Sequence, residues 1–304
     1  MNDLFQQTSS RWLKYSKYEV KEAADGKRYV MPAPLSFPTI YDPLEDAEAL
    51  VVDALNVGLL QTGRKGESAV HAALMEFVRK YGLLGFITAL PSTPNFIAYD
   101  AVYLPKNPFI KVESMKAEEY VAHFFPYKMP EIEKRKKTII FQQEPDGKLT
   151  MPAVTFRDKP QAMTMSFERN YAEPYDWLLL QFKDWAFTFL SSYMYYERYD
   201  TLSESDKNVF RLGISAFGGI APTYHIELLD RPTIVWEFYS LLLAVQTTFG
   251  FTLTDKAKPL RMCRHCQKMF IARHPNAVFC SPRCKNQYNV YKSRAKKAEE
   301  EKEA

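Results

Sequence analysis

Every cysteine of this 304-residue chain lies in the stretch CRHCQKMFIARHPNAVFCSPRC, residues 263–284. Thiols gathered this densely read as disulfides, as metal ligands or as buried or free thiols, a choice that constrains the fold more than any apolar pattern does. The spacing is Cys-x2-Cys, thirteen intervening residues, then Cys-x3-Cys. A tight knuckle turns two thiolates two residues apart toward one centre, and four thiolates about 2.3 Å from one ion close a tetrahedron. The start MNDLFQQTSSRWLKY lacks the basic, apolar and small-residue segments of a secretory signal, so the expected compartment is the reducing cytoplasm. There the pattern predicts Cys263, Cys266, Cys280 and Cys284 as ligands of one Zn2+ ion. A shell closed by four thiolates leaves no position for a reactive water. The expected role is structural, the protein is read as a non-enzyme, and no catalytic residue is assigned.

The second cysteine pair predicts a helix. Ser281 and Pro282 are helix-start residues, which sets Cys280 at the entry and Cys284 one turn in, on the same side. Cys284, Tyr288, Tyr291 and Ala295 then share one face, expected to pack on the knuckle and its hairpin. Arg283, Lys285, Lys292, Arg294, Lys296 and Lys297 flank or oppose that face. Charge is partitioned along the chain: residues 1–255 hold 27 Lys and Arg against 32 Asp and Glu, whereas residues 256–298 hold 12 basic residues and no acidic one. So lopsided a run predicts phosphate neutralisation. The expected partner is nucleic acid, with those six side chains on phosphates and Asn286, Gln287 and Asn289 toward base edges. An alternative of a different class is an adaptor in which zinc only holds a protein-docking surface together. His265 and His274 read as surface groups, since the thiolates already complete the shell.

Knuckle, hairpin-sized spacer and a helix whose first turn supplies the last ligand together resemble a treble-clef zinc finger. Within that class, CRHCQKMFIARHPNAVFCSPRCKNQYNVYKSR is similar to the bacterial CGNR-type finger, which ends helical proteins of the ABATE group. The resemblance covers about 40 residues and places the family's ligands at Cys263, Cys266, Cys280 and Cys284, with Asn286 at the Asn of its signature. It implies DNA in preference to RNA, and a role in transcription regulation.

Residues 1–255 read as a mainly α, α+β body with small β-hairpins, joined by TDKAKPL to a C-terminal module of residues 256–304. Asp25-Gly26 and Asp146-Gly147 each mark a tight hairpin turn. Helices are expected from Asp42-Pro43 through residue 61, over 67–82, over 117–125 and over 173–200, the last apolar around nearly its whole circumference and so expected to be enclosed by others. A further helix is expected to run from Asp230 as cap, through Pro232 in its first turn, to Gly250. The apolar run 238–254 is too short for the roughly 20 residues a bilayer demands, so no membrane partner is expected. His71, His123 and His225 stand alone and read as structural. Trp177, Trp185 and Phe189 read as core in preference to a ligand pocket. A protein or small-molecule partner of the body is left open.

Overall fold

The computed structural model describes residues 7–63, 66–131, 142–143, 149–150, 160–215, 217–218, 222–274 and 276–303. Five strands open the chain: β1 (Thr8–Ser9), β2 (Trp12–Tyr15), β3 (Tyr18–Glu22), β4 (Arg28–Pro32) and β5 (Pro38–Tyr41). Helices α1 (Ala47–Thr62), α2 (Glu67–Tyr81) and α3 (Phe86–Ala89) follow, then the hairpin β6 (Ala101–Tyr103) and β7 (Ser114–Lys116) and helix α4 (Ala117–Ala122). Beyond the pair β8 (Gln142–Gln143) and β9 (Leu149–Thr150) come α5 (Gln161–Met165), β10 (Glu173–Pro174), the long α6 (Tyr175–Glu197) and α7 (Glu204–Ser215). A second hairpin, β11 (Thr223–Leu228) and β12 (Pro232–Glu237), leads into α8 (Leu241–Thr254). The chain closes with β13 (Leu260–Met262), β14 (Met269–Ile271) and α9 (Pro282–Glu303), an α+β architecture.

The first expected hairpin forms as read: β3 and β4 pair antiparallel, Gly26 takes φ +76°, and the Asp25 carboxylate accepts from the Lys27 amide at 3.0 Å. β8 and β9 pair as the second hairpin requires, while its turn at Asp146-Gly147 lies outside the described residues. Helix α1 begins one turn later than Asp42 suggests. Asp42 accepts instead from the Leu44 amide at 2.8 Å and from the Ser10 hydroxyl, forming a turn, and Asp46 becomes the cap, its carboxylate accepting from the Ala49 amide at 3.2 Å.

α1 is the hub. It packs against α2, α6, α8 and β14, burying Leu50, Val51, Ala54, Leu55, Val57 and Gly58. Gly58 permits the crossing with α6: a Cβ there would stand 2.0 Å from the Phe182 carbonyl oxygen and 2.6 Å from the Ala186 Cβ. α6 itself is not enclosed. It buries Tyr175, Leu178, Phe182, Trp185, Ala186 and Phe189 but exposes Phe187, Met194 and Tyr196, so its all-round apolarity reports one core face and one solvent face.

The expected helix from Asp230 is the largest correction. Pro232–Glu237 is a strand, paired with β11 over its whole length and with β1 in parallel at Trp236 and Glu237. The β-branched and aromatic run Thr233-Ile234-Val235-Trp236 suits a pleated surface once partners exist on both sides. Helix α8 starts only after Ser240, whose hydroxyl accepts from the Leu243 amide at 3.1 Å, and continues past Gly250.

A buried carboxylate ties the body together. Glu173 is fully buried and accepts from the backbone N–H groups of Leu84 at 2.8 Å, Gly85 at 2.6 Å and Phe86 at 2.9 Å, and from the Tyr171 hydroxyl at 2.7 Å. Gly85 is at φ +78° with the Trp12 ring where its Cβ would be, and the Trp12 indole N–H donates to the Leu83 carbonyl at 2.9 Å. Among the described residues no helix is long and apolar enough to cross a membrane.

Candidate metal centre

β13 and β14 form the hairpin that carries the first cysteine pair, in the register Leu260 to Ile271, Arg261 to Phe270 and Met262 to Met269. Its turn is the expected knuckle: the Cys263 amide donates to the Lys268 carbonyl at 2.9 Å, the Gln267 amide to the Cys263 carbonyl at 3.0 Å, and Gln267 adopts a left-handed φ of 59°. A non-glycine residue held there marks a turn whose geometry the surroundings dictate.

The second pair arrives on α9. The Ser281 hydroxyl accepts from the Cys284 amide at 3.2 Å, an N-cap bond that fixes Cys284 in the first turn beside Cys280. The Cys280 and Cys284 sulfurs are 3.5 Å apart, the Cys266 and Cys280 sulfurs 3.7 Å, and all four lie within 4.8 Å of one another. A tetrahedron with metal–sulfur bonds of about 2.3 Å has sulfur separations of about 3.8 Å, so the four need only close on one centre. These four cysteines could hold a metal ion.

Electrostatics point the same way. Burial pushes the Cys263 thiol up, but the amides of Cys266, Cys280 and His265 outweigh it, and the thiol is lowered to about 6. The Cys280 amide, for one, donates to the Cys263 sulfur at 3.4 Å. Burial raises Cys266 as well, and it carries Cys280 to about 12 with help from the neighbouring thiols. The turn therefore favours a first thiolate, whose charge then opposes ionisation of the others nearby. A divalent cation at the centre removes that conflict.

The body positions the hairpin. Asn56, the one amide side chain in the apolar stretch of α1, accepts from the Met269 amide at 2.8 Å and donates to the Met269 carbonyl at 3.3 Å. Leu260 and Met269 belong to the same buried core as α1, and Lys258 pairs with Glu48 at 2.7 Å. Sequence reasoning missed Asn56; a lone amide amid LVVDALNVGLL is the signal that could have found it.

Arg283, Lys285, Asn286, Lys292, Arg294 and Lys297 are all exposed on α9, with Gln287 half-buried and Asn289 exposed; the side chain of Lys296 lies outside the described ones. None of these described cations forms an ion pair with a described residue. Tyr288 meets Phe279 at 5.2 Å and Tyr291 stacks on His265 at 5.7 Å, but Ala295 is exposed. The face expected to pack through Ala295 therefore touches the knuckle only as far as Tyr291, since a second helical turn beyond it outruns the small hairpin. His265 and His274 are not among the clustered ligands.

In the body, His71 Nδ1 lies 3.2 Å from the Tyr175 hydroxyl, His123 sits beside Trp177 with its pKa lowered by burial and by Lys27, and His225 lies 3.2 Å from Glu237. Trp177 stacks on Phe109, whereas Trp185 lines a cavity of about 700 Å³ together with Thr88, Asp184 and Gln246. Among the described residues that line it there is one carboxylate and no histidine. Comparison with protein-family models, with curated proteins and with solved structures yields no match.

Proposed function

We propose that the four cysteines hold one zinc ion and that α9, fixed by it as in a treble-clef finger, binds nucleic acid, DNA in preference to RNA. Zinc suits four soft thiolates converging on a small tetrahedral centre. The observation that carries the binding half of the reading is the layout of α9. At 100° per residue, Arg283, Arg294 and Lys297 fall along one side and Lys285 and Lys292 along the other, with Asn286, Asn289 and Ser293 between them. Two cationic rows spaced across a helix match two phosphate strands bordering a major groove, which admits an α-helix. The amides between the rows then meet base edges, where Asn pairs well with adenine.

The CGNR-like resemblance and a role in transcription regulation belong to the same proposal. Zinc would hold Cys280 and Cys284 against the knuckle and so set the direction in which α9 leaves the body. The test is titration of the full-length protein against a fluorescent duplex at a series of salt concentrations. Six phosphate contacts predict a slope of log affinity on log salt of about −5. Replacing Arg294 and Lys297 by Ala should flatten that slope by about 2. Absence of binding to duplex or single strands at low salt would leave the adaptor reading in its place.

A further inference from the structure

The hairpin of β11 and β12 carries an inverted pattern. Along β11 the apolar residues Tyr224, Ile226 and Leu228 are exposed, at 60%, 66% and 80%, while Thr223, His225 and Glu227 are half-buried. Their cross-strand partners Trp236, Ile234 and Pro232 extend the same apolar face. Exposure falls inward from the edge, to 49% at Ile234 and to a half-buried Trp236, where β12 is also paired with β1. Among the described residues no strand pairs with the outer edge of β11. Free edges of this length are ordinarily blunted by charges, Pro or a bulge, and Thr223–Leu228 contains no Lys or Pro, pairs with β12 without a bulge, and carries a single carboxylate, the half-buried Glu227.

We propose that β11 pairs antiparallel with β11 of a second copy of this chain about a two-fold axis through Ile226. An antiparallel edge is self-complementary under two-fold symmetry. The apolar faces of two copies are continuous only when residues of equal parity stand opposite, which leaves three central registers. Centring on Glu227 opposes two carboxylates, and centring on His225 opposes two imidazoles and leaves Leu228 beyond the seam. Centring on Ile226 opposes no two like groups on the polar side: it sets each His225, whose ring already lies 3.2 Å from Glu237 and 3.8 Å from Glu227 of its own chain, opposite the Glu227 of the other copy, and it opposes Tyr224 to Leu228 on the apolar side. The most exposed row of the hairpin thereby gains a flank along its length, as β12 has from β1 at Trp236 and Glu237.

Sedimentation of the full-length protein across a range of concentrations tests this. The wild type is expected to show a monomer–dimer equilibrium, weakened at least about tenfold in Ile226→Lys and in Ile226→Glu, each of which sets like charges opposite one another. Mixing those two variants should restore the dimer, because residue 226 faces itself only in this register. Ile226→Thr, which keeps strand propensity, checks that a loss of association is not a loss of folding. A wild type that stays monomeric overturns the proposal, as does a dimer indifferent to residue 226, or variants that fail to complement; association only with an added extended peptide would assign the edge to a different occupant.

Discussion

At the scale of single residues, two local arrangements carry most of the consequence: the sulfur cluster and the Glu173 carboxylate. Glu173 satisfies three consecutive backbone amides at the turn into α3, so removing it orphans them all at once. Glu173→Ala is expected to cost about 3 kcal/mol, read from chemical denaturation. Burial outweighs its four donors and holds the carboxyl above its ordinary value of 4.5, so the folded chain keeps a proton that the unfolded chain gives up. The resulting stability is complete below pH 4.5 and is lost as pH rises through the folded value. Thermal midpoints measured against pH should fall more steeply over that window for the wild type than for Glu173→Gln. The four cysteines were legible because their partners are close in sequence and their chemistry admits few outcomes. Glu173 and Asn56 were not, since their partners lie as far as 89 and 213 residues away; the lone amide in an apolar run marks Asn56 as unusual without naming its partner.

At the scale of elements, legibility follows the same division between local and distant causes. Helix α2 forms over the expected residues because its apolar period and the stop at Gly82, with φ +91°, are encoded within it. The stretch before α8 was misread because Asp230 and Pro232 resemble a helix start, whereas the strand that begins at Pro232 is decided by β11 and β1. Helix α7 escaped notice although its start is written locally: the Ser203 hydroxyl accepts from the Asp206 amide at 3.1 Å and donates to the Asp206 carboxylate at 2.7 Å. Gly58 shows how one position sets the approach of two elements. Gly58→Ala should force α1 and α6 apart and cost about 3 kcal/mol, an unusual penalty for a substitution that favours helix in isolation. Equilibrium unfolding of the variant, against an alanine substitution at exposed Gly213 where the added atom meets nothing, checks it.

At the scale of the whole molecule, the division into an acidic body and a basic C-terminal module describes charge better than packing, since Leu260 and Met269 share the core of α1 and Asn56 clamps the hairpin. Binding an ion should therefore be felt in the body, and on the order of 10 kcal/mol is available from a structural zinc site. Everything proposed for α9 depends on that ion, because among the described residues the helix meets the knuckle and its neighbours at the turns that carry Cys284, Tyr288 and Tyr291. The most direct measurement is elemental analysis of freshly purified, reduced protein, coupled to titration of its accessible thiols before and after chelation. The account predicts one zinc per chain, four thiols protected until the metal is withdrawn, and a lowered unfolding midpoint afterwards. Metal-free protein that is fully folded, with four thiols that react at once, would contradict it.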